Sequence, residues 1–196
     1  MRVWTIIPVK SLVCAKSRLA FLLDDPSRRG LCLVMLRRVV GAVKASSAPL
    51  CLVTTPDPDV ISWCRREGLV PFQDGERDLN SSLKEATFRA LELGAEAVLI
   101  IPSDVPLVTK EDIDGMVELG FHSSVVISPC RREEGTNALF IRPPGALSYS
   151  FGPGSFQRHL RLARSLGLKV EVYRSATLGL DVDLPEDLKD FLGASG

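Results

Sequence analysis

Three cations, Lys10, Lys16 and Arg18, follow directly on a short apolar run, Val3 to Pro8, in a stretch that reads IIPVKSLVCAKSR. A β-branched and aliphatic run ended by a proline reads as a buried strand, and ligands in open α/β sheets bind just past the carboxyl ends of such strands. Cations placed there suit phosphate, the plain alternative being a solvated basic loop. The glycine spacing of a Walker loop or a dinucleotide fingerprint is absent. Carboxylates occupy comparable places: Asp104 lies just beyond the run AVLIIPS, and Asp181 and Asp183 alternate in LGLDVDLPEDL, after what reads as another short strand. Alternate residues of an extended segment point the same way, so these last two can converge. Hard oxygen donors of this kind suit Mg2+, which bridges carboxylates to substrate phosphates. Turn or helix-capping aspartates are the competing readings, the more so for Asp183 ahead of Leu-Pro-Glu-Asp.

Two other segments offer neutral groups. FGPGSF, residues 151–156, sets two glycines and a proline before a helix carrying Arg158, His159 and Arg161. Glycine permits close backbone approach, and the free N–H groups of a helix start attract anions. Ser155 can cap that helix and meet a ligand, unless the segment is only a tight turn. GTN, residues 135–137, opens a strand and offers the Thr136 hydroxyl and the Asn137 amide, with turn chemistry as its alternative. Only His122 and His159 exist, and there is neither a G-x-S-x-G elbow nor a metal-spaced histidine pair, so hydrolase triads and zinc catalysis find little support. Phosphoryl or nucleotidyl transfer to an acceptor already ionised at neutral pH needs no protein base, only positioning and charge neutralisation.

Elements must hold these groups in place. After the first strand, the segment AKSRLAFLL reads as a helix entry, and residues 28–44 carry Leu31, Val34, Leu36, Val39, Val40 and Val43 at helical spacing. A strand at 50–55, a helix at 60–67, a short strand at 70–72 and a helix at 79–94 follow, the last with Asn80 or a nearby serine as its cap and Gly94 as its stop. AVLIIPSD reads as a central strand buried on both faces, and TKEDIDGMVEL as a helix capped by Thr109. Strands alternating with helices predict an open parallel sheet covered on both sides. Beyond it, SSVVISP and GTNALFIR succeed each other without a helix, which predicts an antiparallel or mixed portion, before a helix at 155–166 and the strand KVEVYR.

The 196 residues, 45% hydrophobic, suffice for one well-buried core, and without repeats or linkers the expectation is a single domain over 1–196. Lys plus Arg and Asp plus Glu balance at 24 each, which argues against nucleic acid or an anionic membrane as partner. No apolar run reaches the roughly 18 residues of a membrane span, and the N-terminus is too short in its apolar part for a secretory signal. Five scattered cysteines without C-x-x-C spacing suit a reduced cytoplasm. Of these, Cys14 sits in the basic loop, as a reactive or a passive thiol.

Taken in order, IIPVKSLVCAKSRLA, LNSSL, PSDVPL, GTNALFIRPP, FGPGSFQRH and GLDVDLPEDL resemble the 2-phospho-L-lactate (phosphoenolpyruvate) guanylyltransferase family of coenzyme F-420 biosynthesis over nearly the whole chain. The resemblance implies an α/β three-layer sandwich with a mostly parallel, mixed sheet, the GT-A-like nucleotidyltransferase fold shared with molybdenum-cofactor guanylyltransferases. It implies transfer of GMP from GTP to 2-phospho-L-lactate or phosphoenolpyruvate with release of pyrophosphate. Carried over by position, Lys10, Lys16 and Arg18 grip the triphosphate, with Lys16, Arg18 and Asp104 as the catalytic set. Asn80 and Ser103 lie by the nucleotide, Asp104, Asp181 and Asp183 hold Mg2+, and Thr136, Asn137, Gly152 and Ser155 receive the acid. Asp78 precedes the Leu-Asn element where the family has glycine. Guanine presents N1–H and N2–H2 donors and so needs acceptors, for which Asp74, Glu76, Asp78 and main-chain oxygens all stand available. A nucleotidyltransferase for a sugar phosphate or molybdopterin, and a nucleotide-binding regulatory protein without activity, are the other readings. The amphipathic helix faces leave room for a homodimer.

Overall fold

The computed structural model describes residues 1–75 and 78–194, the side chain of Cys14 apart; Glu76 and the Cys14 thiol therefore lie outside the described residues. Seven strands form one sheet: β1 (Val3–Pro8), β2 (Leu50–Thr55), β3 (Val70–Gln73), β4 (Ala97–Ile100), β5 (Val125–Pro129), β6 (Thr136–Ile141) and β7 (Val170–Val172). Their order is β3-β2-β1-β4-β6-β5-β7. The β1–β2, β1–β4, β2–β3 and β5–β7 pairs are parallel, while β6 runs antiparallel between β4 and β5. The expected mixed sheet is what forms.

Among the described residues six helices cover it: α1 (Asp25–Ala45), α2 (Pro58–Arg66), α3 (Leu79–Glu92), α4 (Lys110–Gly120), α5 (Ser155–Ser165) and α6 (Pro185–Gly193). Strand alternation divides the core. In β1, Val3 and Ile7 face a layer built with Val39 of α1, Trp63 of α2 and Met116 of α4. Trp4 and Ile6 face the opposite layer, built with Leu83 of α3 and Phe156 and Leu160 of α5. Phe191 of α6 packs with Met35, Leu180 and Val182 at the end of the α1 layer. The result is the three-layer α/β arrangement, and no helix among the described residues is long and apolar enough to cross a membrane.

Local departures from the sequence expectations have physical causes. AKSRLAFLL does not start a helix: two short 3-10 turns, Leu12–Cys14 and Ser17–Leu19, flank Lys16, which takes a left-handed backbone at φ 52. The helix begins instead at Asp25, with Asp24 accepting from the Ser27 N–H. Thr109 and Asp112 form the capping box expected at α4. Asn80 does not cap α3, because Asp78 does, accepting from the Asn80 and Ser81 N–H groups. Nor does Ser155 cap α5; Gly154, at φ 72, holds the cap position and Ser155 is the first helical residue. LGLDVD forms no strand, since its backbone bonds to loops: Val182 N–H donates to Asp104 O at 2.9 Å, and Gly179 O accepts from Arg131 N at 2.8 Å.

Candidate active site

β1 and β4 are parallel neighbours, so Lys10 beyond one and Ser103 and Asp104 beyond the other emerge at one edge of the sheet. β6 runs the opposite way, so its first residues, Thr136 and Asn137, start at that same edge. The Asp181–Asp183 loop is tied to it through the Val182 N–H on Asp104 O. A cleft of about 640 Å³ opens there. It is lined by Lys10, Lys16, Arg18, Ser103, Asp104, Asp181 and Asp183 on one side and by Thr136, Asn137, Gly152 and Ser155 on the other. Of the residues expected at the site, only Asn80 does not line it.

The acidic groups gather around Lys16. Its Nζ donates to Asp104 Oδ2 and to Asp183 Oδ1, both at 2.7 Å, with the ammonium end of a side chain only 10% exposed. Burial opposes a charged lysine here, but the two carboxylates outweigh it and hold the ammonium above its ordinary range. This pairing explains the left-handed backbone, a strained conformation for a residue with a Cβ, which aims the side chain inward instead of along a solvated loop. Lys10 and Arg18 remain exposed at the rim. The loop itself is moored by the Leu12 N–H on Asp57 Oδ2 at 2.9 Å and by Arg28, whose Nε donates to Ala15 O at 3.2 Å.

Asp181 stands deeper. Asn137 Nδ2 donates to Leu178 O at 3.0 Å and reaches Asp181 Oδ1 at 3.4 Å. Burial first, then the charges of Asp104 and Asp183, push the Asp181 carboxyl above its ordinary value, with the Asn137 contact opposing them. Among the described residues no three acidic, histidine or cysteine side chains are arranged as a ready metal cage, because the Lys16 ammonium lies between two of the aspartates. The donor set is nonetheless all hard oxygen, and its excess negative charge is of the kind a divalent cation relieves.

The opposite wall is neutral. Asn80 Oδ1 accepts from the Phe151 N–H at 2.7 Å, and its Nδ2 donates to Phe151 O at 3.3 Å. Asn80, already inside the first turn of α3, thereby splints the 151–154 loop against that helix. Arg158 holds the same loop, its Nη2 donating to Ser150 O at 2.8 Å and its Nη1 to Pro153 O. Gly152, at φ 122, takes a backbone that residues with a Cβ rarely adopt, so the turn requires glycine there. His159, fully buried, links Ser150 to Thr136. Sequence reading left it without a role. The available signal was its place on the buried stripe of α5, with Phe156, Leu160 and Ala163, where an imidazole must find partners.

A second recess of about 470 Å³ adjoins the first, sharing Lys10, Ser11 and Leu79 and adding Thr54, Asp74, Asp78 and Ser82. Ser82 Oγ is buried there without a hydrogen-bond partner among the described residues. Thr54 Oγ1 donates to Asp74 Oδ2 at 3.4 Å.

The three-layer α/β domain has the fold of nucleotidyltransferases, and its sheet edge carries a phosphate-suited basic loop beside an aspartate cluster. The fold is found again in a structure described as a nucleotide-diphospho-sugar transferase from Desulfovibrio desulfuricans G20, with a TM-score of 0.81 at 18% identity, covering 97% of this chain and 87% of that one. The chain belongs to the guanylyl transferase CofC like family, whose profile matches residues 1–194. It is 45% identical to the phosphoenolpyruvate guanylyltransferase of Rubrobacter xylanophilus, over 100% of this chain and 96% of that one. It is 40% identical to the 2-phospho-L-lactate guanylyltransferase of Methanothermobacter thermautotrophicus, over 98% of this chain and 85% of that one.

Proposed function

We propose that this enzyme transfers GMP from GTP to a small phosphorylated three-carbon acid, phosphoenolpyruvate or 2-phospho-L-lactate, with release of pyrophosphate, as a step of coenzyme F-420 biosynthesis. The observation that carries this reading is the single cleft in which a cation-lined, aspartate-lined wall faces a wall of neutral donors. The first suits a triphosphate, the second a compact anion.

The acid's phosphate oxygen, already ionised, is the nucleophile at the α-phosphorus; the bond from that phosphorus to the bridging oxygen of the β-phosphate breaks, and pyrophosphate leaves with the electron pair. No protein base is needed. Lys16 and Arg18 offset the charge that builds on the leaving group, and Lys10 steadies the triphosphate. Asp104, Asp181 and Asp183 would hold Mg2+, which when bound would supply further charge neutralisation on the phosphates. Thr136, Asn137, Gly152 and Ser155 receive the acid, and Ser103 lies by the nucleotide.

The second recess suits the base. Guanine's N1–H and N2–H2 donors need acceptors, and Asp74, Asp78 and Ser82 Oγ supply them. Asp74→Asn is expected to cost GTP roughly tenfold or more in kcat/KM, the scale of one hydrogen bond to a charged group, while narrowing the gap to ITP, which lacks the 2-amino group. An unaltered GTP-to-ITP ratio removes Asp74 from base reading.

The testing experiment is a matrix of four nucleoside triphosphates against phosphoenolpyruvate, 2-phospho-L-lactate, 3-phosphoglycerate and a sugar 1-phosphate with Mg2+, read by product mass and pyrophosphate. Product is expected only with GTP and one or more of the three-carbon acids. Product with the sugar phosphate alone, or no pyrophosphate from any pair, overturns the proposal.

A further inference from the structure

The buried imidazole of His159 has both ring nitrogens engaged, and the two partners differ in a way that decides where its proton sits. Nε2 lies 2.9 Å from the backbone nitrogen of Ser150. A backbone N–H can only donate, so Nε2 must present its lone pair. The ring's remaining proton is then on Nδ1, 3.0 Å from Thr136 Oγ1, and the imidazole donates there. A hydroxyl that accepts from Nδ1–H cannot give its own hydrogen to the same atom. Thr136 lines the cleft and is otherwise buried. Its hydrogen is thereby reserved for whatever enters.

From this we infer that His159 is a positioning residue that turns Thr136 into a dedicated hydrogen-bond donor toward the anion of the acceptor acid. The inference rests on the proposed acceptor site and deepens it. A serine or threonine hydroxyl is ordinarily free to rotate and can face an anion with either its hydrogen or its lone pairs. Here one lone pair is already taken by Nδ1–H and the hydrogen cannot turn back onto the ring, so the hydroxyl is biased before the ligand arrives toward presenting its hydrogen to an anion. The same ring fixes the Ser150 end of the loop that carries Gly152, and the Phe151 ring closes over it edge-on at a centroid distance of 5.0 Å.

The environment keeps the ring in this state. Burial, followed by the adjacent Arg158 charge, lowers the His159 pKa to about 4, so the neutral form persists through the physiological range. An imidazolium would carry a proton on Nε2, facing the Ser150 N–H with no acceptor between them.

The test has two arms. In the wild-type protein, long-range nitrogen–proton correlation of the two imidazoles reads which ring nitrogen is protonated; the expected pattern for His159 is a proton on Nδ1 and a bare Nε2 at pH 7. A proton on Nε2 overturns the inference, and this arm does not depend on any variant folding. In the second arm, His159→Gln, Thr136→Val and the double variant are compared for each substrate. Thr136→Val is expected to lower kcat/KM for the acid roughly ten- to hundredfold, the scale of a hydrogen bond to a charged group. His159→Gln is expected to lower it by about tenfold, through KM for the acid, with KM for GTP within about twofold of wild type. If His159 acts through Thr136, adding His159→Gln to Thr136→Val costs less than about twofold more. Costs that multiply overturn the inference while leaving the acceptor site intact. A Thr136→Val enzyme with unchanged acid kinetics overturns the acceptor-site reading itself.

Discussion

The two walls of the cleft, both proposed to hold anions, are built with opposite physics. The first is charged and wet: the side chains of Asp104 and Asp183 are 30% and 41% exposed, and the cation that bridges them sits on a loop of two short turns. The second is neutral and dry, with Thr136 at 5%, Ser155 at 1% and His159 at 0% exposure, built on a strand start and a helix start. A triphosphate that changes charge distribution during reaction is best met by full charges able to respond, at the cost of self-repulsion when it is absent. A small acid that must be distinguished from its neighbours is best met by donors fixed in direction, where a misplaced hydroxyl leaves a buried group unpaired. On the proposed function, charge supplies rate on one side and orientation supplies selection on the other.

The sharpest way to break this division is at the charged wall. Asp104→Asn is expected to lower turnover by roughly a thousandfold, because it removes a carboxylate from the proposed metal set and one of the two partners of Lys16. Pyrophosphate release under saturating substrates is the measurement. Turnover within about tenfold of wild type shows that the aspartate cluster is structural.

Next in size is Lys16→Ala, expected to lower kcat by roughly ten- to a hundredfold. The same change uncovers Asp104 and Asp183, so the nucleotide-free protein is expected to bind Mn2+ more tightly than wild type, as followed by electron paramagnetic resonance. Weaker Mn2+ binding reverses the picture in which the ammonium stands where a cation belongs.

How far this contrast could be read from sequence differs between the walls. The charged residues announce themselves by type, and parallel β1 and β4 are legible from apolar runs, which together put Lys10, Lys16, Arg18 and Asp104 at one edge. The conformation of the basic loop was not legible: AKSRLAFLL has helical composition, and Lys16 turns left-handed where its ammonium meets Asp104 and Asp183, far along the chain. Likewise Asn80 and His159 act across long separations, bonding to Phe151 and Thr136, and local pattern carries no trace of such partners. Asp181 and Asp183 were expected to converge through strand alternation; they reach the cleft through a loop pinned to Asp104 O instead. The chemistry of the side chains outlived the error in their secondary structure.

At the neutral wall the expected effect is on stability. His159 is neutral in the fold with a pKa near 4, against about 6.5 when unfolded, so the unfolded chain binds the extra proton between these values. Its contribution is therefore fully present above about 6.5 and is lost as pH falls toward 4. Wild-type Tm is expected to drop by roughly 5–10 °C more than that of His159→Gln across this window. Parallel curves for the two proteins, by differential scanning calorimetry, indicate that the ring is hydrated in the fold, which the burial contradicts.

The smallest effect tests whether the charged wall is strained when empty of ligand. Asp181 has its carboxyl raised above the ordinary 3.8 by burial and by Asp104 and Asp183, so the fold disfavours the ionised form. For an acid shifted this way, the stabilising contribution is complete below the unfolded value and is lost as pH rises through the folded one; at neutral pH the ionised group is a net cost. Asp181→Asn is thus expected to raise Tm at pH 7.5 by roughly 2–4 °C, about 1 kcal/mol in a chain of this size, and the gain is expected to shrink as pH falls. If these aspartates hold Mg2+ as proposed, the ion is expected to raise the Tm of the wild type and to raise that of Asp181→Asn less, since one of the charges that the cation would relieve has gone. A variant less stable than wild type at pH 7.5 would assign Asp181 a structural role through Asn137, and the two walls would then differ in exposure but not in strain.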